Sequence, residues 1–288
     1  MATPNQDQVS LMNTNTQSID RRTAIRTMGA FGLGACLCGC RTAPVTQRRQ
    51  LILIPEGQEL SLGSEAYQET IASETVSQNT RLSAMVNRVG QRIAAVSDRN
   101  DYQWEFSLIA DPTQNAFCLP GGKVAIYEGI LPICEDEAGL AVVMSHEVAH
   151  ALARHGGERM SHNMAVDGVK KVAEKLIGTY AADKKEILMQ AYGVGSQYGV
   201  LLPYSRRQES EADHIGLNLM AEAGYDPTVA PDFWTRFGNL KTGEQQPEFL
   251  STHPADERRA ADLLELMDES KAIYAGAKQK FGRGEAIT

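Results

Sequence analysis

Ser145-His146-Glu147-Val148-Ala149-His150-Ala151-Leu152-Ala153-Arg154-His155 sets three histidines and a glutamate in an otherwise small and apolar run. The segment from Glu135 to Arg154 opens with acidic residues and closes with a basic one, which suits the dipole of a helix. Its interior, GLAVVMSHEVAHALA, is apolar nearly all round and predicts a central, buried helix. Residues four apart on a helix share a face, so His146 and His150 can offer two imidazoles to one metal ion. Glu147 sits slightly round the helix, free to take a proton from a water activated by that ion. Without a metal, the same spacing describes two histidines satisfied by hydrogen bonds in a packed helix.

A catalytic zinc needs a third protein ligand and an open fourth position. Downstream, Tyr204–Asp213 (YSRRQESEAD) places acidic residues four apart on a second predicted helix, Ser205–Ala223, which Gly224 and Pro227 terminate. Glu209 and Asp213 share a face; Glu209 can be the ligand, and Asp213 can accept a hydrogen bond from a ligand imidazole. Glu211 points almost opposite and reads as a solvated residue. Arg206 is placed to pair with a carboxylate near the zinc or with substrate carbonyls. Standing alone, this helix would be an ordinary acidic surface.

The rest of the chain frames these two helices. Apolar residues spaced by three and four (Leu60, Ala66, Ile71, then Leu82, Met85, Val86, Val89, Ile93) predict two helices between Glu59 and Val96. Tyr102–Ala110 and Lys123–Tyr127 read as strands, and Pro120-Gly121-Gly122 marks a turn between Asn115 and Lys123. Residues 157–200 read as loosely patterned helix, and a last amphipathic helix spans about Ala255 to Ala275. The fold class is therefore α+β, mainly α, with a small sheet. At 288 residues, 42% hydrophobic and 22% charged, the composition is that of a globular chain. A net charge of -8 and a pI near 5.3 exclude a nucleic-acid partner read from basic patches.

The first 39 residues read as a lipoprotein signal, with a basic stretch containing Arg21-Arg22 of possible twin-arginine type, a short apolar run and small residues before a cysteine. Leu37-Cys38-Gly39-Cys40 makes Cys40 the expected lipidation site, Cys36 being the alternative. A metal site of Cys36, Cys38 and Cys40 would need a folded context that a signal lacks. Residues 40–57 are expected to be the lipidated cysteine and its tether, and 58–288 the catalytic domain. Cys118 and Cys134 either pair or remain free and buried.

Four motifs occur in order: Asn115–Gly122 (NAFCLPGG), Ser145–His155, Tyr204–Asp213, and Ser251-Thr252-His253-Pro254-Ala255 with Arg259. Together they resemble the gluzincin metallopeptidase family that includes HtpX, the CaaX prenyl protease and the mitochondrial Oma peptidase, and most closely its small periplasmic lipoprotein peptidases of the LoiP type. The resemblance covers about Gly57 to Met267. It implies a zincin-like fold with one zinc ion per chain held by His146, His150 and Glu209, with Glu147 as general base and Asp213 in support. It implies that Asn115, Ala116, Phe117 and Cys118 form an edge strand bordering the cleft, to which an extended substrate adds by main-chain hydrogen bonds. It gives His253 one of two roles, stabilising the developing oxyanion or occupying the open position as a lock; a turn histidine before Pro254 is the plain alternative. Arg154 and His155, at the helix end, suit capping or support of a ligand.

These readings converge on a zinc endopeptidase, lipid-anchored in a bacterial cell envelope and facing the periplasm, that degrades unfolded or misfolded envelope proteins. One alternative is a chaperone-like assembly factor that binds extended clients and rarely cleaves. Another is a structural lipoprotein whose zinc only ties two helices together. The absence of any long apolar run disfavours a membrane-embedded substrate.

Overall fold

The buried helix foreseen around the histidines is the axis of the molecule. In the computed structural model, which describes residues 40–174, 205–240, 248–253 and 258–287, it runs over Glu137–Leu152 with all but its last residue buried. Asp136 begins it, accepting a hydrogen bond from Gly139 N at 2.9 Å. In chain order the elements are β1 (Cys40–Thr42), β2 (Arg49–Leu51), α1 (Glu56–Ser73), α2 (Thr80–Ala94), β3 (Glu105–Ile109), β4 (Ala116–Leu119) and β5 (Lys123–Tyr127). There follow α3, the axial helix, then α4 (His155–Glu174), α5 (Arg206–Glu222), α6 (Ala230–Asn239), α7 (Glu248–Thr252), α8 (Arg259–Glu265) and α9 (Met267–Gly276). None of the helices described is long and apolar enough to cross a membrane.

The three-stranded sheet has the order β3-β5-β4, with β3 and β5 parallel and β4 antiparallel to β5. Leu119 pairs with Lys123 across a tight turn in which Gly121 and Gly122 both have positive φ, the backbone of the primed hairpin turns. This topology leaves β4 at an edge, beside α3. The core joins α2, the sheet, α3, α5 and α6: Met85, Val89, Ile126, Val143, Met220, Phe233 and Phe237 are all fully buried in it. A smaller cluster of Tyr67, Phe117, Leu119 and Met160 lies between α1, β4 and α4.

Two expectations change. Residues 40–54 are not a free tether: β1 and β2 pair as a hairpin, and Ala43, Gln50, Ile52 and Ile54 are buried. Alternating side chains on β2 turn Gln50 inward, where its Nε2 donates to Ala153 O at 2.7 Å, just past the end of α3. The final helix is two helices that break at Leu266. The first buries Leu263 and packs on α6, whereas the second buries Met267 and Ser270 and packs on α5, so a straight helix could not serve both. Much of the loosely helical stretch foreseen at 157–200 lies outside the described residues.

Beyond α9 the chain straps the start of α3. Glu137 N and Ala138 N donate to Glu285 O and Arg283 O, both at 3.0 Å, and Ile287 N donates to Glu135 O at 2.8 Å. These contacts take up backbone donors that a helix start leaves without intrahelical partners.

Candidate metal centre

Helix α5 lies against the middle of α3 because residue 216 is glycine. A Cβ there would stand 3.0 Å from His146 N and 3.1 Å from His146 Cα, closer than side-chain carbons normally approach backbone. One helical turn back, Asp213 Oδ1 reaches His146 Nδ1 at 3.0 Å. A further turn back, Glu209 Oε1 lies 3.3 Å from His150 Nε2, and its Oε2 lies 3.5 Å from His146 Nε2. The four-residue spacing of Glu209 and Asp213 thus matches that of His146 and His150 on the facing helix. Ser205 caps α5 in a reciprocal box with Gln208.

His253, just after α7, completes the group. Its Nδ1 is 3.1 Å from Glu209 Oε1 and 3.2 Å from His146 Nε2, and its Nε2 is 3.3 Å from Glu147 Oε1. Phe249 stacks on its ring at 4.3 Å. His146, His150, Glu209 and His253 each offer one donor atom, all within 4.8 Å of one another and all buried.

This set fits a zinc ion on three counts. First, a tetrahedral ion with bonds of about 2.0–2.1 Å has ligand atoms about 3.3–3.4 Å apart. The separations here are 3.1 Å for His146 Nε2 to His150 Nε2, 3.2 Å for His146 to His253, and 3.1 to 3.3 Å from Glu209 Oε1 to His253 and His150. Second, His146 Nδ1 faces the Asp213 carboxylate and carries the proton, which leaves its Nε2 a bare lone pair aimed at the group. Lone pairs and a carboxylate converging at such distances repel unless a proton or a metal cation lies between them. Third, Glu147, Glu209 and Asp213 against Arg259 give -3 + 1 = -2 with neutral imidazoles, all of it buried. A divalent cation brings the sum to zero, the compensation buried charge requires. Glu147 Oε1 and Glu209 Oε2 make no hydrogen bond among the described residues, again as acceptors awaiting a cation or its water would.

The electrostatics agree. Burial opposes charge on Glu209, yet the adjoining His253 and Arg259 overcome it and hold its carboxyl well below the usual range. Burial likewise opposes charge on Asp213, and Arg259 and His146 keep it ionised. Burial pushes the Glu147 carboxyl up, making it a stronger base than an exposed glutamate. Burial drives His150 and His155 down, toward neutral rings. His146 differs: burial and Arg259 oppose its charge, but hydrogen bonds to Asp213 and Glu209 lift it to about 9. Without an ion the group therefore retains a proton, which a metal ion would have to displace.

The cation among the carboxylates is Arg259. Its Nε and Nη2 donate to the two oxygens of Asp213 at 2.6 Å, its Nη1 is 3.2 Å from Glu209 Oε2, and its guanidinium lies 3.3 Å from the centre of the Trp234 ring. Arg206, the arginine expected there, is exposed in the first turn of α5. Arg259 lies in the fourth motif, but the sequence alone gives it no role, because 46 positions separate it from Asp213. Glu211, expected to be solvated, is buried at 4% exposure. Both faces of α5 are covered, one by α3 and the other by the N-terminal hairpin and the start of α4, so pointing away from the candidate ligands does not mean pointing to water.

Below His146 and His150 the chain turns sharply. Arg154 adopts φ 52°, a left-handed conformation costly for a residue with a Cβ, and is held there by Glu59 Oε2 at 2.5 Å and Ile54 O at 2.9 Å. The turn brings His155 Nδ1 to 2.9 Å from His150 Nδ1. Of the remaining histidines, His162 is exposed and His214 pairs with Glu269.

Asn115, Ala116, Phe117 and Cys118 lie on or beside the edge strand β4 and are fully buried. Phe249 N donates to Gln114 O at 3.1 Å, seating α7 at the start of that strand. Cys118 and Cys134 are free thiols in the core. Cys40 begins β1, and the expected signal over 1–39 lies outside the described residues.

Among known proteins, the mitochondrial metalloendopeptidase OMA1 of Schizosaccharomyces pombe is 37% identical over 79% of this chain and 66% of its own length. The Saccharomyces cerevisiae protein of that name is 33% identical over 81% of the chain and 70% of its own. The beta-barrel assembly-enhancing protease of Escherichia coli K12 is 24% identical over 81% of the chain and 48% of its own length. The chain thus spans about two thirds of these yeast relatives and about half of the bacterial one. The expected placement as a lipoprotein of a bacterial cell envelope is corrected by these matches, since the relatives of higher identity, one from Arabidopsis thaliana among them, are mitochondrial. The model of "Peptidase family M48" matches residues 80–267, which span every ligand candidate, and the chain belongs to that family.

Proposed function

We propose that the protein is a zinc-dependent endopeptidase that hydrolyses peptide bonds in extended segments of unfolded or misfolded proteins. The observation that carries this reading is the convergence of His146 Nε2, His150 Nε2, Glu209 Oε1 and His253 Nδ1 on a point with the spacing of a tetrahedral zinc site. His146, His150 and Glu209 would hold the ion, which supplies the Lewis acidity to acidify a water and polarise the scissile carbonyl. Glu147, beside the ligands but not one of them, takes the proton of the attacking water and returns it to the leaving amine. Asp213 keeps His146 in the tautomer whose Nε2 is bare, and Arg259 holds Asp213 and Glu209 in place.

In this reading His253 is a lock. Its Nδ1 would complete the ligand set with the other three donors, and its Nε2 faces the general base, so attacking water and free base would be excluded together. Strand β4 offers the edge to which a substrate adds, and α7, bound to Gln114, stands at its start. Withdrawing α7 with His253 would expose base, metal and edge at once. An extended substrate follows because edge pairing reads main chain rather than side chains.

The test is cleavage of an unfolded casein by the zinc-loaded full chain. Glu147→Gln should lower the rate by roughly 10² to 10⁴ with zinc retained, and His253→Ala should keep or raise it. Zinc binding without cleavage by any form, with casein still bound, would replace this reading with a client-binding assembly factor.

A further inference from the structure

The N-terminal hairpin reaches the metal centre through a chain of buried polar contacts that the catalytic reading does not use. Arg48, between β1 and β2, has a side chain only 9% exposed. Its Nη1 and Nη2 donate to the two oxygens of Glu158 at 2.6 and 2.7 Å, and its Nε donates to Glu211 Oε2 at 2.6 Å. The Thr46 hydroxyl donates to Glu211 Oε1. Glu211 Oε2 also lies 2.9 Å from His155 Nε2, and His155 Nδ1 lies 2.9 Å from His150 Nδ1.

Proton positions follow from the partners. An ionised carboxylate only accepts, so His155 Nε2 carries the proton facing Glu211 and its Nδ1 is bare. Two bare nitrogens cannot face one another at 2.9 Å, so His150 Nδ1 carries the next proton and donates it. His150 Nε2, on the ligand side, is then a lone pair. Arg48 Nε donates to the same Oε2 that faces His155, so this position must accept; without an acceptor at 211 nothing holds the His155 proton on Nε2, and His150 is free to carry its own on Nε2 instead.

We infer that Glu211, fixed by Arg48 and Thr46 of the N-terminal hairpin, is a positioning residue that sets the tautomer of His150 through His155 and thereby readies this ligand for zinc. The inference rests on the reading of His150 as a ligand, but its geometry exists without the ion. It also gives the hairpin a function: displacing residues 40–54 would free Glu211 and weaken the metal site from about two side chains away.

The test uses the full chain with Glu211→Met, which removes the acceptor, Arg48→Met, the double variant, and Arg92→Met as a control. Arg92 pairs with buried Glu137 at the far end of α3, so its loss perturbs the fold without touching this chain of contacts. Zinc affinity by chelator competition should fall about 10- to 100-fold in Glu211→Met, less in Arg48→Met, and no further in the double variant. Arg92→Met should bind zinc as the native protein does. In the metal-free protein, nitrogen-15 spectra of labelled histidine should place the proton of His150 on Nδ1 and that of His155 on Nε2, with Glu211→Met leaving neither proton fixed and shifting His150 toward Nε2–H. Unchanged affinity in Glu211→Met, or a native His150 protonated on Nε2, overturns the inference. Native tautomers as stated, in a protein that binds no zinc, would sustain the hydrogen-bond chain and overturn the zinc reading instead.

Discussion

Substituting Gly216 by alanine tests whether close approach of α5 to α3 builds the centre. In an open helix this change stabilises by about 1 kcal/mol, because glycine has the greater backbone entropy to lose. At 216 the new Cβ would meet His146 N at 3.0 Å, His146 Cα at 3.1 Å and Ser145 C at 3.1 Å. These are backbone atoms of a buried helix, with no flexible side chain to give way, so α5 must move out by several tenths of an ångström. Overpacking of this kind costs about 1–3 kcal/mol. Gly238, in α6, is the internal control: a Cβ there would have nothing within 4 Å, and alanine should keep the full helix gain. The two substitutions should therefore differ by about 1–3 kcal/mol, or about 2–12 °C in melting temperature for a domain of this size. Gly216→Ala also carries Asp213 and Glu209 away from His146, so zinc affinity should fall while Gly238→Ala leaves it native. Thermal unfolding in chelator and chelator competition measure the two effects. Equal stabilisation by both substitutions, with native zinc affinity, would refute the packing argument.

Arg259→Met leaves Asp213 and Glu209 buried without their cation and should destabilise the metal-free protein by about 3–5 kcal/mol in denaturant titration, with a smaller loss when zinc is bound. Glu211 is held at about 2 by His155, Thr46 and Arg48 acting against burial. A depressed carboxylate contributes stability above its unfolded pKa of about 4.3, and that contribution is lost as pH falls toward 2. The stability gap between the native protein and Glu211→Gln, on the order of 3 kcal/mol near pH 6, should therefore narrow through this window. Zinc at about 100 times its dissociation constant should raise unfolding stability by about 2.7 kcal/mol, and His150→Ala should abolish most of that increment.

The axial helix, its two histidines and the base could be read directly, because helical spacing fixes which residues share a face. Glu209 and Asp213 could be read for the same reason, given a partner helix. Arg259, Arg48 and Thr46 could not, since each meets its carboxylate through packing of segments far apart in the chain. Glu211 misled because facing away from the ligands implies solvent only on a helix covered on one side. The apolar run Leu51–Ile54 is too short and too uniform to separate a docked hairpin from a tether, and burial alternates along it in a way the sequence does not show, taking in Gln50, Ile52 and Ile54. Leu266 carries no breaker residue, and its break arises from the different partners of α8 and α9.

The central claim concerns what the four convergent donors hold. X-ray absorption at the zinc edge of the zinc-loaded full chain, beside His253→Ala, reads it directly. One zinc per chain with nitrogen and oxygen neighbours at about 2.0–2.1 Å, imidazole scattering from three rings in the native protein and two in His253→Ala, and no sulfur is the expected result. A sulfur neighbour, or an imidazole count that His253→Ala leaves unchanged, would contradict it.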